Sequence, residues 1–394
     1  MKTFSEKAVL AYLLYSLITF GLFHSATALP ITLNDDPLPP ATALEVAMHP
    51  DALNPYPSKP RVRFRNDGTF KITVFADLHF GENPWDEWGP QQDINSTALM
   101  RRVLADEEPD YVVLNGDLIT GENTFRQNST HLIDEIVKPL NEARIPFSST
   151  HGNHDNEPNI THMEEIQREQ LVASLSYTRT APPGVGGESG PGTYWVPVYR
   201  RMSDPTPILI LWFFDSRGGF SPGPNSTPVP DWVDESVAGW IQEQTKLMDL
   251  AWGPANAARG ALAFMLQSGL NSTKDPGLNA DVLGSGSTQA TTKPSNIGED
   301  LAFWRALNGN VKNLHAVFSG HDHGNESCVR EPTEDVIFCF SKHSGYGGYS
   351  DAGWGHGVRN ILFSSPEPGD AVETWIRLEN GTTRARVMLN AGYD

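Results

Sequence analysis

"FSGHDHGNES", residues 318–327, sets two histidines on either side of an aspartate directly after an apolar run. The run before it, "LHAVF", alternates as a half-buried strand does, and "GHDHG" breaks the alternation. A hydrated turn accounts for such a break without any chemistry. A metal site accounts for it equally, provided that the chain supplies partners elsewhere.

Three other stretches put acids and histidines where apolar runs stop. They are "FADLHFGE" with Asp77 and His79, "LNGDLITGEN" with Asp117, and "GNHDNE" with Asn153, His154 and Asp155. Two residues apart at a strand end, Asp77 and His79 point to one face and can grip one ion. Each stretch alone is an ordinary turn. Four in this order, all at predicted strand C-termini, read as a metal site, because open α/β sheets place their sites at those ends. Carboxylate with imidazole suits zinc, manganese or iron, and one shared carboxylate can hold two ions ~3.5–4 Å apart.

The 394 residues suit one large domain or two small ones, and 39% hydrophobic with 20% charged residues is ordinary for a globular chain. A net charge of −19 argues against nucleic acid or an anionic membrane as partner. An anionic substrate would need a local positive centre, which metal ions supply. Lys2 and Lys7 lead into "AVLAYLLYSLITFGLF", and "ATA" at 26–28 fits a cleavage site, so residues 1–28 are expected to be a signal peptide. No stable membrane anchor would remain after its removal. Seven N-x-[ST] sequons, at Asn95, Asn128, Asn159, Asn225, Asn271, Asn325 and Asn380, agree with the secretory pathway, each a candidate surface N-glycan. In that compartment Cys328 and Cys339 are expected to close "CVREPTEDVIFC" by a disulfide, two free thiols being the alternative.

Residues 29–66 read as a proline-rich N-terminal arm and 67–394 as one α/β domain with mixed sheets. "TALMRRVLADEEP", "THLIDEIVKPLNEA", "THMEEIQREQLVASL" and "DWVDESVAGWIQEQTKLMDLAW" are predicted helices, the last opened by an Asp N-cap; residues 268–298 are predicted to be a long surface loop. His131 and His162, on predicted helices, are expected at the surface. His151 is expected to pack at a strand end, and His343 and Tyr346 are candidates for the pocket wall.

"ADLH", "NGD", "GNHD" and "GHDH" together resemble the calcineurin-like metallophosphoesterases, from about Phe70 to Trp354. The two cysteines and "SGYGGYS" after "GHDH" resemble the branch with plant purple-acid-phosphatase-like and fungal vacuolar or secreted members. The resemblance implies a four-layer αββα sandwich with two mixed β-sheets. It implies hydrolysis of phosphoric esters at a binuclear centre of iron, manganese or zinc with a bridging hydroxide. By the same resemblance Asp77, His79 and His323 hold the first metal, Asp117 bridges, and Asn153 and His321 hold the second. His154 is the implied general acid, oriented by Asp155.

The chain departs from that pattern twice. Thr120 stands where the purple enzymes carry a ligand tyrosine, so no tyrosinate-to-iron colour is expected. The family's penultimate histidine, in an H-x-P setting after an apolar strand, is missing from "GALAFMLQSGLNST"; either Met265 or Leu266 takes its place or a short segment is absent. The second metal site is therefore expected to be impaired, with the Gln267 carbonyl oxygen a poor replacement. The alternative to a hydrolase is a catalytically weak secreted homologue that binds one metal or a phosphorylated ligand.

Overall fold

Strand β6 (Leu209–Phe213) shows how the layers arise. Leu209, Leu211 and Phe213 join one core cluster, while Ile210, Trp212 and the following Phe214 join another, and all six are buried. A strand apolar on both faces has to lie between two other layers. A computed structural model describes residues 49–256, 259–267, 275–283, 300–331, 335–367 and 369–393 of the chain. The described residues lie in one unit, Pro37–Asp394.

One sheet has seven strands in the order β1 (Val62–Arg63), β5 (Tyr194–Tyr199), β6, β7 (Gly260–Phe264), β8 (Leu314–Ser319), β10 (Val336–Phe340) and β9 (Cys328–Glu331). The other has six, in the order β13 (Thr383–Leu389), β12 (Val372–Leu378), β11 (Gly357–Phe363), β2 (Phe70–Phe75), β3 (Tyr111–Asn115) and β4 (Phe147–Thr150). Strands β2, β3 and β4 run parallel, as do β6, β7, β8 and β10, while the remaining pairs except β1–β5 are antiparallel, so both sheets are mixed. Ile72, Val113, Leu211, Leu262, Phe318 and Ile361 meet between the sheets.

Helices cover both outer faces. Helix α1 (Trp88–Glu107) and helix α2 (His131–Ala143) pack Met100, Val103, Ile136 and Leu140 on Val112 and Leu114 of the six-stranded sheet. In α2 the buried Ile133, Ile136, Val137 and Leu140 fall at the spacing of one helix face. Helix α3 is His162–Val172. Helices α4 (Ser236–Trp252) and α5 (Leu301–Asn310) set Trp240, Ile241 and Phe303 on Trp212 and Ala263 of the seven-stranded sheet. The result is the αββα sandwich. Helix α4 begins later than its sequence pattern suggests: the Asp234 carboxylate, not an Asp at the N-cap itself, accepts from Ser236 N at 3.0 Å.

The end of the expected arm is built into the domain. Leu53, Tyr56, Val62 and Phe64 are buried, Tyr56 Oη donates to Tyr177 O at 2.7 Å, and β1 pairs with β5 as an edge strand. Residues 1–48, with the expected signal peptide, lie outside the described residues. No helix among the described residues is long and apolar enough to cross a membrane. Cys328 and Cys339 face each other across β9–β10 and form the disulfide. Of the predicted loop 268–298, residues 275–283 are described; they run along Asn325 and Glu326 through Leu278 N to Glu326 Oε2 at 3.0 Å. That contact corrects one sequon: Asn325 is 1% exposed, with its amide nitrogen donating to Asp281 O, so it cannot carry a surface glycan. Asn128, Asn225 and Asn380 are exposed, and Asn271 lies outside the described residues.

Candidate active site

Asp77 and His79 follow β2, and His321 and His323 follow β8, so the two sheets deliver them to one edge. One nitrogen each of His79 and His323 and one oxygen of Asp77 lie within 4.8 Å of one another, and all three side chains are buried. Each is aimed from behind. His323 Nδ1–H donates to Tyr349 O at 2.6 Å, which leaves Nε2 facing Asp77 Oδ1 at 3.9 Å. His79 Nδ1 is hydrogen-bonded to Thr120 Oγ1 at 3.1 Å, and its buried Nε2 has no hydrogen-bond partner. Thr120, at the place of the missing tyrosine, thus orients a candidate ligand.

The electrostatics fit a cation. Burial, with help from neighbouring imidazoles, holds His79 well below its ordinary value and His323 down at about 3, so both present neutral lone pairs. Burial and the Asp117 carboxylate push Asp77 well above the usual carboxylate range. The Asp77 carboxylate, buried beside Asp117 and two neutral imidazoles, is a donor set that suits a metal ion. The backbone is strained at the same place: Asp77, His79, Asp117 and His321 have φ of 55°, 49°, 46° and 72°. Such left-handed residues cost ~1–3 kcal/mol each and concentrate at functional sites.

The second set is differently furnished. Asp117 Oδ1 accepts from His154 N at 3.0 Å, and Asn153 Oδ1 accepts from Gln267 Nε2 at 3.1 Å. The chain leaves β7 through Met265, Leu266 and Gln267, and the fully buried Leu266 side chain lies against the backbones of Gly116, Gly152 and Gly320. A Cβ at Gly152 would meet Leu266 Cδ2 at 2.0 Å and Asp117 Oδ1 at 2.4 Å. One at Gly320 would meet Asp77 Oδ2 at 2.8 Å and Leu266 Cδ1 at 3.0 Å. Leu266 therefore sits between the two glycine backbones and beside both carboxylates. The Gln267 amide presents nitrogen, not its carbonyl oxygen, to Asn153. Among the described residues, only Asp77, His79 and His323 gather three donors of the His, Cys, Asp or Glu kind at such range.

His154 follows Asn153 in a 3-10 turn (Asn153–Asp155), with its ring 4.9 Å from that of His79. Its orienting partner is Glu122, whose Oε1 lies 2.7 Å from Nδ1. Burial pulls His154 down, but Asp117, the Glu122 hydrogen bond and Asp155 outweigh it and hold the group at about 10. Asp155 does not orient the ring as expected: its carboxylate is taken by Ile119 N at 2.9 Å and Gly152 N at 2.8 Å, fixing the turn instead. Sequence reading missed Glu122; its place in "GDLITGE", on the same loop as Asp117, was the available signal.

Four other histidines resolve as follows. His162 is fully buried, contrary to expectation, because Asp215 Oδ2 lies 2.9 Å from its Nδ1 and its Nε2 donates to Gly152 O at 2.7 Å. It therefore holds the turn from beneath. His151 packs, buried, against the His162 ring, and His131 is exposed. His343 is buried under His323, ring centroids 3.9 Å apart, and is no pocket wall. Tyr346 turns away to stack on His356, whereas Tyr349, not singled out from the sequence, lies flat on His323 at 4.0 Å.

Residues 70–325 match the family model described as calcineurin-like phosphoesterase. The Arabidopsis thaliana protein named "Probable inactive purple acid phosphatase 14" is 27% identical over 81% of this chain and 83% of its own length. Phosphatase DCR2 of Saccharomyces cerevisiae is 26% identical over 69% of this chain and 47% of its own. Among solved structures, a dimetal phosphatase from Danio rerio aligns over 82% of this chain and 100% of that one, with a TM-score of 0.49 and 13% identity. Purple acid phosphatase PPD1 from yellow lupin seeds covers 82% of this chain and 54% of its own, with a TM-score of 0.47 and 10% identity. With more than half of its length matched by the family model, and that match spanning all four motifs, the chain belongs to the calcineurin-like phosphoesterase family.

Proposed function

We propose that the chain is a metal-dependent phosphoric-ester hydrolase in which Asp77, His79 and His323 hold a first ion. Asp117, Asn153 and His321 would hold a second, more weakly. The observation that carries this reading is the buried, partnerless Nε2 of His79 beside the Asp77 carboxylate and His323 Nε2. When bound, ions of this kind (zinc, manganese and iron suit the donors) act as Lewis acids on phosphate oxygens and acidify water. A chain of net charge −19 needs such a local centre to hold a phosphate ester.

The remaining roles belong to the protein. Thr120 and the Tyr349 carbonyl fix the two imidazoles, and His162 with Asp155 fixes the turn that carries Asn153 and His154. His154, held charged in the metal-free chain by Asp117 and Glu122 and partly exposed, would give its Nε2 proton to the leaving oxygen as water adds to phosphorus and the P–O bond breaks. Glu122 keeps that ring aimed and charged. Secretion completes the reading: a mature start near Leu29 and N-glycans on the exposed Asn128, Asn225 and Asn380, which intact mass before and after deglycosylation tests.

Leu266 favours a second reading, a weak homologue that binds one metal or a phosphorylated ligand. Metal content by mass spectrometry, with phosphate release from p-nitrophenyl phosphate before and after chelation, separates the two. Bound metal with chelator-sensitive turnover supports the hydrolase. One ion without turnover supports the weak homologue, and no bound metal overturns the hydrolase.

A further inference from the structure

Among the described residues, five aromatic side chains are exposed: Trp85, Trp88, Phe125, Phe220 and Tyr349. All five lie within about ten residues in sequence of groups at the site. Trp85 and Trp88 follow the loop after His79, Phe125 follows Glu122, and Tyr349 covers His323. Phe220 follows Gly218, where a Cβ would come within 2.8 Å of Asn153 Cβ. The large hydrophobic side chains exposed elsewhere are aliphatic, such as Leu171, Leu250 and Met388.

These segments are tied into a collar. Gly348 N donates to Glu82 Oε2, joining the Tyr349 segment to the Trp85 loop. Phe80 bridges Ile119, joining that loop to the one carrying Phe125. Asn159 Nδ2 donates to Thr124 O at 2.8 Å, and Phe220 N donates to Asn156 O at 2.7 Å. Scattered exposed aliphatic groups are normal on any surface, whereas planar rings on segments tied together beside one site offer stacking area at little entropic cost. The collar's charges are mainly acidic, with Glu82, Glu122 and Glu157 next to the site. Further anionic groups on a substrate would meet repulsion there.

We propose that this collar binds the organic half of the substrate, and that the preferred ester is a single phosphate on a bulky, apolar, uncharged alcohol, not a polyphosphate or an acidic phosphopeptide. The proposal rests on the hydrolase reading above. Stacking on two or more rings accounts for about tenfold in kcat/KM.

The test compares 2-(2-naphthyl)ethyl phosphate with ethyl phosphate, whose alkoxide leaving groups are chemically alike. The naphthyl ester should be favoured about tenfold in kcat/KM, chiefly through KM, and the doubly substituted Trp85→Ala, Phe220→Ala chain should lose that preference while turning over ethyl phosphate as before. Equal kcat/KM for the two esters, or a preference untouched by the double substitution, overturns the proposal, as does faster hydrolysis of ATP than of the naphthyl ester. If neither ester is hydrolysed, the hydrolase reading fails. The collar is then read by quenching of tryptophan fluorescence with 2-(2-naphthyl)ethylphosphonate against ethylphosphonate: tighter binding of the naphthyl compound upholds it, and equal binding overturns it.

Discussion

Asp77, His79 and His323 bring their donor atoms within 4.8 Å of one another, whereas Asp117, Asn153 and His321 share their space with Leu266 and Gln267. In the first group each imidazole is aimed from behind, by Thr120 or by the Tyr349 carbonyl, and the coordinating edge is left open. In the second, the Asn153 oxygen is engaged by an amide and the neighbouring wall is a leucine. Two strands of different sheets define the first group, β2 through Asp77 and His79 and β8 through His323. The second takes one residue each from the ends of β3, β4 and β8, and the end of β7, a fourth strand, brings Leu266 and Gln267 against it. A group that draws two of its three donors from one rigid strand end has fewer separate placements to keep than a group assembled one residue per strand.

The largest effects should follow from breaking the stronger half. His79→Ala or His323→Ala removes a first-site imidazole and should lower activity by more than the ~10–100-fold typical of losing an outer partner. Metal content should fall with it, and unchanged metal content would break the comparison. Asp77→Asn sharpens it by sign. Because burial and Asp117 raise Asp77 in the folded chain, that chain binds more protons than the unfolded one above the ordinary carboxylate value. The metal-free protein should therefore lose stability as pH rises from acid toward neutral. Asp77→Asn should raise the melting temperature of the metal-free chain at pH 7 while weakening metal binding, as thermal melts with and without metal would report.

Repairing the weaker half should have the next largest effect. Leu266→His places an imidazole between Gly152 and Gly320, beside Asp117. It should raise second-ion occupancy and activity by ~10–100-fold, read by metal titration and by turnover at saturating metal. If the original chain already holds two ions tightly, another residue has assumed the ligand role and the two halves are equal after all.

How much of this could be read from sequence follows from where each interaction is made. Asp77, His79, Asp117, Asn153, His154, His321 and His323 were legible because strand ends are local patterns and parallel strands bring their C-termini together. The layers were legible from runs such as "LILWF". Glu122 was not, because its reach to His154 depends on how two separate loops fold over each other. His162 looked like a surface helix residue because its partner, Asp215, lies 53 positions along the chain. The sequon at Asn325 was misleading for the same reason, since its burial comes from residues near Asp281. The fate of the missing histidine was half legible: the absence was visible, but only packing shows Leu266 closing the gap.

The smallest effect, and the finest probe of the comparison, concerns Glu122, because it acts on the proton donor and on neither set of metal ligands. Glu122→Gln keeps an oxygen near His154 Nδ1 but removes the charge. A whole general acid is worth ~10²–10⁴-fold, so loosening and discharging it should cost about tenfold on alkyl phosphates. The cost should be far less on p-nitrophenyl phosphate, whose leaving oxygen needs little protonation. The pH dependence has a fixed sign. In the metal-free chain His154 is held at about 10, above its ordinary 6.5, so its proton-linked stability is complete below 6.5 and lost as pH rises through about 10. Glu122→Gln should bring that loss to lower pH by about one unit, the smaller end of what an adjacent opposite charge contributes. NMR titration of the His154 ring, with melts across pH 6 to 11, reads the shift directly. An equal rate loss on both esters with an unmoved titration would mean that Glu122 merely braces the loop, and that the acid is set by Asp117 and Asp155.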